Sequence, residues 1–299
     1  MTDHAIDLPV APAQPGRLRR SRGYWSGVAT RLWRDPVTLI CAAVLIAIVL
    51  AAIFAPYLDL ADPSKTSIVR RLKPPFTAGY PLGTDELGRD LLARLIYGGR
   101  LSLLMGFLPV FIATLIGGAL GILAGYARGL TNSAIMRTMD VFYAFPSVLL
   151  AVAISGVLGG GVVNGLIALT LIFIPPIARV AESITMQVGV QDYVDAARAT
   201  GAYPHQVLIF HVLKNVIAPI LVFASSLISI SIVVAAGLSF LGLGVAPPQA
   251  EWGLMLSALR PSIYVAPLNA VLPGVMIFVT SMCFNLMSDG FRNAMDVKA

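Results

Sequence analysis

AESITMQVGVQDYVDAARATGAYPHQVLIFHVLKN, residues 181–215, is the most informative stretch of this chain, a polar interval between two long apolar runs. Asp192 followed by Asp195 reads as a helix start. Asp192 can accept a bond from an early backbone N–H, and Asp195 sits near the positive end of the helix. Ala196, Ala197 and Ala199 then give strong helix propensity with little bulk. Gly201 suits a sharp exit, and Pro204 suits the first turn of another helix. The pattern predicts a short helix, a tight turn and a second helix running back toward the apolar run that follows. Small side chains let such a helix lie deep in a groove of another protein, and Asp195 and Arg198 can pair with that partner's rim. A solvated loop helix is the plainer alternative.

The sequence around this interval is that of a membrane protein. Of 299 residues, 57% are hydrophobic and 12% charged, and the mean hydropathy is +0.83. Soluble domains carry about 25% charged residues, so half the usual surface charge is missing. Six apolar runs, near 37–55, 101–125, 141–158, 162–180, 216–238 and 268–287, are each suited to cross a bilayer. The fold class expected is therefore all-α, with six transmembrane helices. The third and fourth runs are separated only by Gly159, Gly160 and Gly161, and Pro175–Pro176 should bend the fourth or end it. Gly117, Gly121 and Gly125 place bare backbone on one face of the second, where another helix can approach closely.

The net charge is +6. In a soluble protein that would suggest nucleic acid; here the basic residues cluster beside apolar runs, so no nucleic-acid partner is expected. Residues 1–36 form a basic tail, polar and disordered up to about Gly16, then carrying Arg17, Arg19, Arg20, Arg22, Arg31 and Arg34. Residues 24–34 mix Trp25, Leu32 and Trp33 with arginines and suit a short helix on the membrane surface. The first run, 37–55, is long enough to span and reads as an uncleaved helix rather than a signal segment. The positive-inside rule puts the tail in the cytoplasm, and six crossings return the carboxyl end, 291–299, to the same side. Residues 56–99 then form an extracytoplasmic loop with a pre-span helix. That loop carries Lys65, Arg70, Arg71, Lys73, Arg89 and Arg94, which oppose the tail's vote.

Candidate chemistry is sparse. Cys41 and Cys283 lie inside apolar runs and read as small buried side chains. His205 and His211 lack the glutamate of a His-Glu-x-x-His site. The sequence has neither a Gly-x-Ser-x-Gly elbow nor a phosphate-cradling G-x-x-x-x-G-K-[ST] loop, which argues against an enzyme and places any ATP hydrolysis on another chain. An ion-coupled transporter would want ionisable groups in its spans, and Asp140 is the one candidate. Asn164, Asn269, Asn285 and Ser239 are possible polar contacts for a solute, though each suits an interhelical hydrogen bond equally.

Asp195-Ala196-Ala197 followed by Gly201, with Ile209 and Asn215 beyond, resembles the "EAA…G" loop of permeases in ATP-binding-cassette importers; Asp195 replaces the usual Glu, and Lys214 stands at a frequent Pro. Three further blocks are similar to the dipeptide, oligopeptide and nickel permeases. Pro81-Leu82-Gly83-Thr84-Asp85, with Gly88, Arg89 and Asp90, resembles their "HPLGTD..GRD", with Tyr80 for His. Leu238 through Gly242 and Gly244, then Pro247, Pro248 and Trp252-Gly253, resembles "LSFLGLG..PP...WG", with Ala250 at a frequent Pro. Asn285-Leu286, then Asp289, Gly290 and Arg292, with Asp296 beyond, resembles "NLLGDGLRDALDP", departing at Met287, Ser288 and Asn293.

The resemblance implies the type I importer permease fold, a core over 100–290, and a coupling segment in which Asp195, Ala196, Ala197, Arg198 and Gly201 meet an ATPase subunit. It implies further partners: a second homologous permease, two ATP-binding-cassette subunits, an extracytoplasmic substrate-binding protein and the lipid bilayer of a bacterial inner membrane. No cofactor or metal is expected on this chain; ATP and Mg belong to the ATPases. Residues 242–252 are expected to shape the outer mouth or dock the binding protein. Peptides are the substrate class implied, with nickel or another small solute as the alternative.

Overall fold

The computed structural model describes residues 24–295. The tail up to Gly16, Arg17, Arg19, Arg20, Arg22 and Asp296 lie outside the described residues. Ten helices organise them: α1 (Tyr24–Leu32), α2 (Pro36–Phe54), α3 (Leu91–Ala127), α4 (Gly129–Tyr143), α5 (Ser147–Leu158), α6 (Val162–Val188), α7 (Asp192–Ala199), α8 (Pro204–Phe240), α9 (Trp252–Leu259) and α10 (Pro267–Met295). Local chemistry sets several starts. Asp35 caps α2 by accepting from Val37 N–H at 3.1 Å, with Pro36 in the first turn, and Asp90 caps α3 through Leu92 N–H at 2.8 Å. α3 runs unbroken from the Asp90 cap, so the helix before the second apolar run is continuous with it.

Five of these helices, α2, α3, α6, α8 and α10, are each long and apolar enough to cross a membrane. The expected third span, 141–158, is not one helix. α4 and α5 meet at an 84° bend, and Pro146 sits at the N-cap of α5. Contacts at the helix ends decide how to count this pair. Arg31 of α1 donates to the Ala294 carbonyl of α10 at 3.2 Å, and Gly290 packs on Thr38 at the start of α2. The first crossing thus begins where the last one ends, which requires an even number of crossings. Five helices and one bent pair make six.

The same logic orients every element. Tyr126, at the end of α3, donates to the Pro204 carbonyl at the start of α8 at 2.6 Å, placing both at the face of α1 and α7. At the opposite face, Gly161 N–H donates to the Gly244 carbonyl at 2.8 Å, tying the α5–α6 turn to the segment after α8.

α3 against α6 is the most extensive helix pair, and the glycine stripe explains why. A Cβ added at Gly117 would stand 2.6 Å from the Ile174 carbonyl and one at Gly125 2.7 Å from that of Glu182; at Gly121 it would collide with the Ala178 carbonyl. Three glycines four residues apart meet three carbonyls four residues apart, so the backbones touch. Pro175 and Pro176 lie inside α6, which continues to Val188 rather than ending at them. In a membrane bundle, neighbouring helices can hold such a helix across its missing hydrogen bonds.

Candidate functional site

α7 forms the exposed tip of the face it shares with α1, the inner one by the positive-inside expectation. Asp192 is its first residue rather than its cap; Gln191 occupies the cap position and makes no side-chain capping bond, so Asp192 and Asp195 support the helix start through the charge of the first turn. The exit is a complete Schellman turn. Gly201 N–H donates to the Arg198 carbonyl at 3.0 Å, Ala202 N–H to that of Ala197 at 3.2 Å, and Gly201 carries φ +83°. Val194 is fully buried in one cluster with Val207 and Val212 of α8, whose first turns are π-helical over Val207–Val212. α7 is therefore clamped to α8 by Val194, with the half-buried Ala197 packed on the same cluster, and by a closed turn.

The outward side of α7 presents Asp195, Ala196, Arg198 and Ala199. Asp195 and Arg198 pair with each other at 2.9 Å, with 64% and 44% of their side chains exposed. The pair is internal before any partner arrives, and both groups remain open to solvent.

The outer face is built in the opposite way. Asp85 is buried and accepts from Leu87 N–H and Arg89 N–H, both at 2.9 Å, and from Arg89 Nε at 2.6 Å; Arg94 Nε lies 3.2 Å away. Arg94 also donates to the carbonyls of Pro63 and Gln249. Thr84 donates to the Arg70 carbonyl and accepts from Lys73 N–H. Gly83 and Gly88 carry positive φ where a side chain would strike the Lys73 and Ser67 carbonyls. Gly83, Thr84, Asp85, Gly88, Arg89 and Asp90 thus fold the loop onto the head of α3. The basic residues that opposed the topology are partly explained here, because Arg89 and Arg94 are consumed by a buried carboxylate.

Residues 242–252 complete this knot. Gly242 turns at φ +79°, Gly244 lies against Ser239, and Ser239 Oγ accepts from Val245 N–H at 3.2 Å. Trp252 is 0% exposed and donates to the Leu95 carbonyl at 2.8 Å, so its indole packs inward rather than offering an aromatic surface. Pro247 and Pro248 precede it in an exposed turn. Glu251 accepts from Gly253 N–H, Leu254 N–H and Ser102 Oγ. Burial pushes its carboxyl above the ordinary 4.5, against the opposing pull of those bonds. Asn269 is buried too, donating to the Lys73 and Thr84 carbonyls at 2.8 Å, and Asn164 donates to Leu158 and Gly159 at its own helix start. Both bind backbone rather than face a passage. Of the last motif, Gly290 packs on Thr38, while Asn285, Asp289 and Arg292 are exposed.

Between the two faces lies a cavity of about 520 Å³ that the sequence did not reveal. The α4–α5 bend (Tyr143, Phe145, Pro146), the Pro175–Pro176 turn of α6 and Leu227 of α8 line it. It is wide, apolar and aromatic. Beyond it toward α7, Asp140, the one ionisable candidate expected in the spans, pairs with Arg179 of α6. Arg179 closes the fourth apolar run and hid at its edge; its spacing of one turn from Pro175–Pro176 was the available signal.

Comparison with known proteins adds the following. Residues 117–298 match the family model described as binding-protein-dependent transport system inner membrane component, and residues 23–75 match the N-terminal transmembrane domain of oligopeptide transport permease C. The chain is 38% identical over 282 residues to the glutathione transport system permease protein GsiD of Pectobacterium atrosepticum, covering 94% of each. It is 44% identical over 259 residues to the di/tripeptide transport system permease protein DppC of Pseudomonas aeruginosa, covering 85% of this chain and 86% of that one. In fold it is similar to the inward-facing MetNI methionine ABC transporter, with a TM-score of 0.56 over 70% of this chain and 98% of that one at 18% identity.

Proposed function

The chain belongs to the family of binding-protein-dependent transport system inner membrane components, and on that premise we propose that it forms half of the path by which an ATP-driven importer carries short peptides across a bacterial inner membrane. It would do so beside a second, homologous permease, with two cytoplasmic ATPase subunits holding ATP and Mg and an extracytoplasmic protein delivering substrate. The relatives named for di/tripeptides and for glutathione, itself a tripeptide, support peptides as the substrate class. This chain's part is to conduct, not to catalyse.

The observation that carries the reading is the mechanical continuity between α7 and the cavity. α7 is joined to α6 by the short turn at Gly189, and locked to α8 by Val194 and the Schellman turn. α6 and α8 then supply Pro175, Pro176 and Leu227 to the cavity wall. Packed interiors pass a displacement on rather than absorb it. A push on α7 from closing ATPases would therefore move two walls of the cavity together. The apolar lining offers a peptide little to hold, which suits a conduit that must release what it receives.

The test is the reconstituted complex in proteoliposomes, followed by uptake of a labelled dipeptide with and without ATP. Gly201→Val forces a β-branched residue into φ +83° and should abolish coupled uptake while leaving membrane insertion unchanged. Normal uptake by that variant would sink the assigned role of the turn. Uptake of another solute, with none of any di- or tripeptide, would sink the substrate class.

A further inference from the structure

Immediately below the apolar cavity, on the side of α7, α4 and α6 gather a compact set of charged and polar groups. Asn132, Met136, Asp140, Arg179 and Glu182 line a second, open space of about 370 Å³. Arg179 donates through Nη2 to Asp140 Oδ1, and its guanidinium carbon lies 4.9 Å from the ring centre of Tyr143. Tyr143 lines the cavity above, so the two spaces adjoin at this side chain. Glu182 accepts from Asn132 Nδ2 at 2.7 Å, and among the described residues no cation lies within ion-pair distance of it. Two carboxylates and one guanidinium therefore line this space, and only Asp140 is paired with the guanidinium. About half of each side chain of the Asp140–Arg179 pair is exposed, at 53% and 47%.

An apolar conduit that opens onto such a cluster is unusual chemistry to leave unused. Arg179 spends one nitrogen on Asp140, and among the described residues its other donors make no hydrogen bond. A zwitterion of short length offers an ammonium to the second carboxylate and a carboxylate to those donors. It can enter by exchanging one exposed ion pair for two of its own, so the net gain is small and release stays fast. We propose that this cluster is the polar station of the path, where Glu182 and Asp140 receive the α-ammonium of a passing peptide and Arg179 its carboxylate. The inference rests on the peptide-import reading above and adds to it a residue-level basis for preferring free termini.

Glu182→Gln tests it, because the amide oxygen can still accept from Asn132 while the charge is gone. In the reconstituted complex, uptake of a dipeptide is compared with that of its N-acetylated form, presented at a concentration that loads the binding protein. The variant should lower uptake of the free peptide severalfold, up to about fivefold, the scale of one half-exposed ion pair, and leave that of the acetylated peptide unchanged. Equal losses for both, or no loss for either, would overturn the station and leave a purely structural cluster. A dipeptide with a diazirine on its first residue provides a second readout during turnover. Adducts in α4 or α6 near Met136 support the proposal; adducts confined to other segments overturn it. If the unaltered complex takes up neither peptide, the import reading itself has failed, which the variant comparison keeps separate from failure of the station.

Discussion

The outer knot and the inner tip use the same residue types to opposite ends. At the outer face Asp85, Arg89 and Arg94 are buried; Asp85 is bonded to backbone and guanidinium groups, while Arg94 Nε and Glu86 Oε2 lie buried without a hydrogen bond. At the inner face Asp195 and Arg198 form a pair of similar length that lies open to water. Burial makes the first set structural, because a desolvated charge left unpaired is very costly. Exposure makes the second set energetically light, since screened surface pairs contribute roughly 0–1 kcal/mol. A recurring motif in this chain is thus of two kinds: one holds the protein together and one is presented to something else.

The sharpest way to break this contrast is to remove the acid from each region. Asp85→Ala leaves Arg89 and Arg94 facing each other without their shared carboxylate, and should cost about 3–5 kcal/mol, the range for breaking a buried pair. Loss of protease resistance in the 58–90 loop, measured in nanodiscs, would report it. Asp195→Ala should change thermal stability by about 0.5 kcal/mol or less and show its effect in coupled uptake alone. A stable Asp85 variant with defective coupling would reverse the assignment of the two regions.

Glycines sharpen the comparison at smaller cost. Gly121→Leu drives a side chain into the Ala178 carbonyl and must pry α3 from α6; roughly 1–3 kcal/mol of overpacking is expected, seen as a lower midpoint in thermal unfolding. Gly201 has open space around its Cβ position, so Gly201→Ala meets only the backbone penalty of φ +83°, about 1 kcal/mol. If Gly121→Leu proved the milder change, the stripe would not be the seam of the bundle.

These differences explain what the sequence could and could not reveal. Apolar length identified five crossings, and the α7 turn followed from Gly201 and the alanines, because both signals are local. The glycine stripe also read correctly, since a four-residue repeat marks one helix face. Proline did not discriminate: Pro109, Pro175, Pro176, Pro219 and Pro273 all lie inside continuous helices, whereas Pro146 opens α5 after a sharp bend. What separates them is packing across the bundle, which no local window contains. Arg179 was missed for a related reason, because its partner Asp140 is 39 residues away. The inward orientation of Trp252 likewise depends on Leu95 and Ser102, remote in sequence.

The smallest expected effect probes whether the outer knot is under electrostatic tension even when folded. Burial, and then the neighbouring Asp85, push the Glu86 carboxyl above its ordinary 4.5, outweighing the help it receives from Arg89. One of its oxygens, Oε2, is buried with no hydrogen-bond partner. An acid whose folded value is raised favours the folded state when protonated. That contribution is complete below the unfolded value and is lost as the pH rises through the raised one. Wild type should therefore lose stability, relative to Glu86→Gln, as the pH climbs from about 4.5, the value for the unfolded chain. The two proteins should converge in unfolding midpoint on the acid side of that value, and the Gln variant should be the more stable at neutral pH. Because Glu86 is 20% exposed, solvent screens the penalty and the gap should be modest. A Gln variant that is less stable at neutral pH would mean that the Arg89–Glu86 bond at 2.8 Å outweighs the burial cost, and that the knot stores no repulsion.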